Sequence, residues 1–160
     1  MGGAGGAVEG IGARGRLRRR ASVDNPDPLV GPFCEETIDV TPSRLAAETQ
    51  QHVIQTLGRA VKALGLYHGP LHAELRINHE GVWMMEVAAR PIGGLCSRAL
   101  HFRIPLVDDN ASPEELMIRL ALGLDVCRIY RADAAAGGVM IPIPTAVVRR
   151  KSTRRDSSLH

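Results

Sequence analysis

Hydrophobic and polar positions alternate most regularly over Gly69–Gly94, GPLHAELRINHEGVWMMEVAARPIGG. Leu71, Ala73, Leu75 and Ile77 fall on one side of a period-two pattern and His72, Glu74 and Arg76 on the other, which predicts a strand. The polar-then-glycine makeup of His79-Glu80-Gly81 predicts a three-residue hairpin loop with Gly81 in the left-handed region. That loop sets Glu74 opposite Glu86, Leu75 opposite Met85 and Ile77 opposite Trp83. The second strand then adds Trp83, Met85 and Val87 to the apolar face, so Trp83 and Met85 are expected to be buried. The polar face gains Glu86, Ala88 and, further on, Arg90.

The pattern changes to a helical one on either side of this hairpin. Thr41 as N-cap and Pro42 at the first position predict a helix running to about Leu64 and stopping at Gly65. Its apolar stripe is Val53, Ile54, Leu57, Ala60, Val61 and Leu64, the face of a packing helix. Ser112-Pro113-Glu114-Glu115 carries the N-cap and third-position glutamate of a second helix over 113–122, ending near Gly123. Leu95–Phe102 reads as a short helix. Phe33–Val40 alternates as a strand, and the prolines of VMIPIPT at 139–145 suit an edge strand. The first thirteen residues, MGGAGGAVEGIGA, lack the Lys-Ser/Thr ending of a phosphate-binding loop and read as a flexible start. Arg14–Val23 alternates too poorly to establish a strand.

The candidate chemistry lies on the polar face of the hairpin. Two carboxylates directly opposite each other destabilise a strand pair, and a cation between Glu74 and Glu86 reverses that sign. Oxygen ligands without a neighbouring thiolate favour Mg²⁺ or Mn²⁺, whose shell is usually completed by water and phosphate. Arg90 ends the same face, where a guanidinium can clamp phosphate, and Gly93-Gly94 lets backbone come close to it. The solvated side of an amphipathic hairpin has the same appearance, so spacing alone leaves both readings open.

The run His72-Ala73-Glu74 followed by Glu86-Val87-Ala88-Ala89-Arg90-Pro91-Ile92-Gly93-Gly94 resembles the C-terminal metal- and phosphate-binding half of an ATP-grasp domain, of the carboxylate–amine ligase variety that includes the L-amino-acid ligases. The likeness extends over roughly residues 26–145. It implies an α/β (α+β) lobe with a mostly antiparallel sheet and packing helices. It implies ATP and Mg²⁺ (or Mn²⁺) as cofactors, with Glu74 and Glu86 holding the metal, Arg90 steadying the phosphate or acyl phosphate, and Gly93 and Gly94 beside the nucleotide. The implied function is the ATP- and Mg-binding portion of a peptide-bond-forming ligase that acts through an acyl phosphate on a carboxylate and an amine. Ala88 stands where many members carry Asn. The Lys, adenine-contacting strand and glycine-rich lid of the family's earlier lobe are not found, so the chain is expected to be truncated at both ends and to need an N-terminal lobe. Two alternatives stay open: a non-catalytic ATP-grasp remnant, and a small divalent-metal hydrolase with His72 as extra ligand or base.

Composition narrows the remaining classes. The 160 residues are 44% hydrophobic and 23% charged, values of a globular chain, while aromatics at 3% leave the core to aliphatic side chains. The net charge of +3 is concentrated at Arg14–Arg20 and Arg149–Arg155. With no stacking aromatics beside them, these read as solvated ends rather than a nucleic-acid surface. Cys34, Cys96 and Cys127 form no CxxC pair and read as free thiols of a cytoplasmic protein. No apolar run reaches the ~18 residues of a membrane span. The expected organisation is a Gly/Arg-rich flexible start and linker (1–32), a metal- and phosphate-binding lobe (33–105), the start of a C-terminal subdomain (106–145) and a disordered basic tail (146–160).

Overall fold

A computed structural model describes residues 4–13, 15–26, 37–105 and 109–140. Six strands form the main sheet in the order β5-β4-β1-β2-β3-β9: β1 (Ala4–Ala13), β2 (Arg16–Asn25), β3 (Ile38–Thr41), β4 (Gly69–Asn78), β5 (Gly81–Ala88) and β9 (Ala136–Val139). Every pairing in it is antiparallel. A smaller sheet has the order β7-β6-β8, from β7 (Asp109–Ala111), β6 (Phe102–Ile104) and β8 (Tyr130–Arg131). Three helices complete the described residues: α1 (Ala47–Ala63), α2 (Gly94–Ala99) and α3 (Pro113–Ala121). This is the mostly antiparallel α+β architecture expected from the sequence.

The two faces of the main sheet carry two cores. On one, Val8, Leu71, Ala73 and Leu75 meet Val53, Leu57 and Val61 of α1. On the other, Ile11 and Ala21 meet Cys96, Phe102, Leu116, Leu120, Val126 and Ile129, so α2, α3 and the small sheet cover part of that face. Gly65, at φ +67°, ends α1 in a conformation that penalises a Cβ. The Gly65 and Leu66 amides donate back to Lys62 and Val61. Ser112 caps α3 by accepting from the Glu115 amide, as its sequence predicts.

Four expectations are corrected. The flexible start is instead β1, a central strand between β2 and β4. Its glycines fit close neighbours: a methyl group on Gly10 would lie 3.0 Å from a methyl of both Leu17 and Leu71. The helix start at Thr41-Pro42 is not used. Thr41 ends β3 and donates its hydroxyl to the Ser22 carbonyl, and α1 begins at Ala47. Trp83 and Met85 are exposed, at 52% and 61%, and Val82 and Met84 take the inward positions. The boundary between 105 and 106 divides paired strands, because β6 pairs with β7, and β9 returns to the main sheet beside β3. Glycine-rich residues 1–3, most of the strand expected at 33–40, the end of that expected at 139–145, Cys34 and the tail 146–160 lie outside the described residues.

Candidate metal and phosphate face

The hairpin turn explains why Trp83 faces outward. Asn78 pairs with Gly81, leaving a two-residue turn, one residue shorter than expected. The Asn78 carboxamide oxygen accepts from the Glu80 amide (2.9 Å), the Gly81 amide (3.2 Å) and the Trp83 indole (3.2 Å), a local arrangement that fixes the short turn. Ile77 therefore faces Val82 and Leu75 faces Met84. A shift of one residue would by itself turn Glu86 to the other face. A β-bulge restores it: Met85 is the extra residue, and beyond it Glu74 faces Glu86, Ala73 faces Val87 and His72 faces Ala88. The turn length differs from the sequence reading, and the register of the two glutamates agrees with it. Residues opposed in this way have Cβ atoms about 5 Å apart.

β1 supplies a carboxylate that the sequence reading missed. Glu9 pairs with His72 in the β1–β4 ladder, and Ala7 with Glu74, so all four side chains share the face that carries Glu86. Glu9 is buried; its Oε1 meets His72 Nδ1, and its Oε2 accepts from the Ile92 amide at 2.9 Å. His72 Nε2 lies 3.2 Å from Glu74 Oε1. The ring thus bridges two carboxylates, and only an imidazolium can donate to both at once. Burial alone would lower the His72 pKa, but the hydrogen bonds and charges of Glu9 and then Glu74 together outweigh it and raise the value above the ordinary 6.5.

A group raised on folding stabilises most when protonated. The His72 contribution is therefore complete below about 6.5 and is lost as pH rises through the higher folded value. Urea unfolding across this range is expected to show stability falling with pH, with the fall flattened in His72→Gln. An equal slope in both proteins would contradict the bridge.

The outer part of the face is open to solvent. The Glu74 side chain is 33% exposed, and Glu86 and Arg90 about half. Arg90 Nη2 stands 3.5 Å from Glu86 Oε1, and Nη1 donates to the Pro91 carbonyl. An ion pair this exposed contributes at most about 1 kcal/mol, so both ends remain available to a ligand. Gly93 and Gly94 are exposed with open space before each, and Gly94, at φ +63°, opens α2 in a conformation that favours glycine. The structure thus gathers Glu74, Glu86 and Arg90, with Gly93-Gly94 following directly in the chain. The Glu74–Glu86 pair offers the hard oxygen donors that suit Mg²⁺. Among the described residues no group of three or more His, Cys, Asp and Glu is arranged to hold a metal ion. Both ring nitrogens of His72 are engaged by carboxylates, which removes the extra ligand or base of the hydrolase alternative.

The model of the family described as "ATP-grasp domain" matches residues 15–99, more than half of the chain. The match begins upstream of the stretch expected from resemblance and includes Glu74, Glu86, Arg90, Gly93 and Gly94. No match is found among curated protein sequences. Among solved structures, the L-amino acid ligase from Bacillus licheniformis is similar with a TM-score of 0.71 and 26% identity, over 88% of this chain and 34% of that one. Biotin carboxylase from Campylobacter jejuni, solved as a β-γ-ATP complex, gives 0.59 at 19% identity, over 84% and 29%. The biotin carboxylase domain of Hydrogenobacter thermophilus 2-oxoglutarate carboxylase, solved with MgADP and bicarbonate, gives 0.57 at 15% identity, over 84% and 28%. These last two likenesses concern the fold alone. The chain spans about a third of the length of the structures it matches. Among the described residues no helix is long and apolar enough to cross a membrane.

Proposed function

Since the chain belongs to the ATP-grasp family, we propose that its Glu74–Glu86 face is the metal and phosphate side of a nucleotide site in an ATP-dependent carboxylate–amine ligase. The observation that carries this reading is the bulge-restored opposition of Glu74 and Glu86 with Arg90 beside them, inside the family-matched segment. In it, Glu74 and Glu86 hold Mg²⁺ (or Mn²⁺) through their carboxylate oxygens. The bound cation supplies charge neutralisation at the ATP phosphates. Arg90 exchanges its exposed contact with Glu86 for phosphate oxygens, where its planar fork is more useful. Gly93 and Gly94, both exposed, follow Arg90 by three and four residues and would offer their backbone to the phosphates. Glu9 and His72 act behind this surface: the buried bridge holds the Glu74 carboxylate in place.

The reaction proposed for the whole protein is transfer of the γ-phosphoryl group to a carboxylate, giving an acyl phosphate and ADP. An amine then displaces phosphate to form the amide. Phosphoryl transfer depends on positioning and a water-excluded field, and this chain spans 34% of its ligase neighbour's length. That span also favours a second reading, in which the chain binds nucleotide only together with a further lobe.

Calorimetric titration with ATP, with Mg²⁺ and with EDTA, tests the assignment. Saturable, Mg²⁺-dependent binding is expected, weakened at least ~10-fold by Glu86→Gln, equivalent to about 1.4 kcal/mol. Glu86 is half exposed, so this substitution leaves the core intact. Equal binding by both folded proteins would sink the assignment of Glu86; no binding by the folded wild type would favour the second reading.

A further inference from the structure

β2 carries three consecutive arginines, and the structure sends them to different places. Arg20 turns inward, 8% exposed, and donates to the carbonyls of Val126 (2.8 Å) and Ile129. Burial lowers its pKa, with Arg18 adding repulsion and Cys127 and Asp125 opposing it. This buried guanidinium ties the segment before β8 to the sheet. It thereby sets Arg128 and Arg131 across from Arg18 and Arg19. β2 pairs with β3 only at Asp24–Val40, and alongside Leu17–Ser22 a cleft of about 590 Å³ opens instead.

Among the described residues, five arginines and no Asp or Glu line this cleft. Three already have partners: besides Arg20, Arg19 donates to Gln50 Oε1 (2.7 Å) and Ser22 Oγ (3.3 Å), and Arg131 to the Ala134 carbonyl (2.7 Å). Asp125 borders the adjoining hollow and feels both Arg128 and Arg18, while its carboxylate accepts from the Cys127 amide. One acid at the rim leaves a strong excess of positive charge. Positive charges lining one concavity repel one another, and its walls focus their field on whatever enters. Guanidinium forks match the geometry of oxyanions, and the volume lies in the small-ligand range. The cleft shares no residue with the Glu74–Glu86 face. The sequence reading placed Arg18, Arg19 and Arg20 in a solvated end, because nothing in the chain order shows that residues 126–131 return to them.

We propose that this cleft binds a small, multiply charged oxyanion, phosphate-bearing or polycarboxylate, independently of the metal and phosphate face. The inference does not rest on the proposed nucleotide site.

Calorimetry in EDTA at low salt, with inorganic pyrophosphate and with citrate as separate probes, keeps the two sites apart. The wild type is expected to bind one anion saturably, the Arg18→Gln/Arg128→Gln variant at least ~10-fold more weakly, and Arg90→Gln, which removes the phosphate contact of the other face, within about twofold of wild type. Tighter binding of pyrophosphate identifies a phosphate-bearing ligand, and tighter binding of citrate a polycarboxylate. Both substituted arginines are exposed; if the double variant loses its cooperative melt, Arg128→Gln alone is judged on the same scale. The proposal would be overturned by no binding of either probe, by equal binding in the Arg18/Arg128 variant, or by loss of binding in Arg90→Gln. Binding of an oligonucleotide without either small anion would overturn it as well.

Discussion

Replacing Glu9 with alanine is expected to destabilise the fold by about 3–5 kcal/mol, the usual cost of removing one partner from a buried charged pair. Both of its oxygens are engaged, one by His72 and the other by the Ile92 amide, and the side chain is buried. The truncation leaves a buried imidazole and a buried backbone N–H without their acceptor, and an unsatisfied buried group is penalised far more than a lost exposed contact. Against a total of about 5–15 kcal/mol for a domain, the loss brings the chain close to unfolding. Glu9→Gln retains shape and one acceptor oxygen and is expected to cost distinctly less. Urea denaturation of the three proteins measures the order; a Glu9→Ala variant within about 1 kcal/mol of wild type would mean that the bridge is not structural. The expected effect also reaches the site, since Ile92 directly precedes Gly93 and His72 touches Glu74.

The second large effect belongs to the other core. Leu57 is 0% exposed, at the centre of the contact between α1 and the sheet, among Val8, Leu71 and Leu75. Leu57→Ala is expected to cost about 2–5 kcal/mol, the transfer of the lost methyl groups plus the cavity that the rigid sheet leaves open. Leu64 lies on the same predicted stripe but is 59% exposed, and Leu64→Ala is expected to change stability by less than about 0.5 kcal/mol. Thermal or urea unfolding compares them directly. Similar losses at the two positions would contradict the packing described for α1.

What the chain discloses by itself follows from how local the physics is. Ser112 and Gly65 act on backbone a few residues away, and the helix ends that they predict are the ones observed. Strand alternation over Leu71–Leu75 reflects the apolar face that packs on α1, and it too is legible. Thr41-Pro42 satisfies the local rule for a helix start, yet Thr41 finds a partner in Ser22, far away in sequence, and the sheet prevails. β1 escapes detection because glycines erase its alternation. Its strand character depends on neighbours on both sides, and Glu9 is hidden with it. The hairpin is an intermediate case. The pairing of Glu74 with Glu86 was legible, but the turn and the bulge each depart by one residue, and their cancellation depends on the side chain of Asn78 and on packing of Val82 and Met84. The arginine cleft was not legible at all, because it needs β2 and the segment before β8 to meet.

In the proposed site, Glu74 and Glu86 together hold the cation of a bound nucleotide. Crystals grown with Mn²⁺ and a non-hydrolysable ATP analogue, measured at the manganese absorption edge, test it most directly. An anomalous peak is expected in coordination contact with a carboxylate oxygen of both Glu74 and Glu86, with Arg90 turned to the phosphates. A peak elsewhere, or one held by neither glutamate while the analogue is bound, would contradict it.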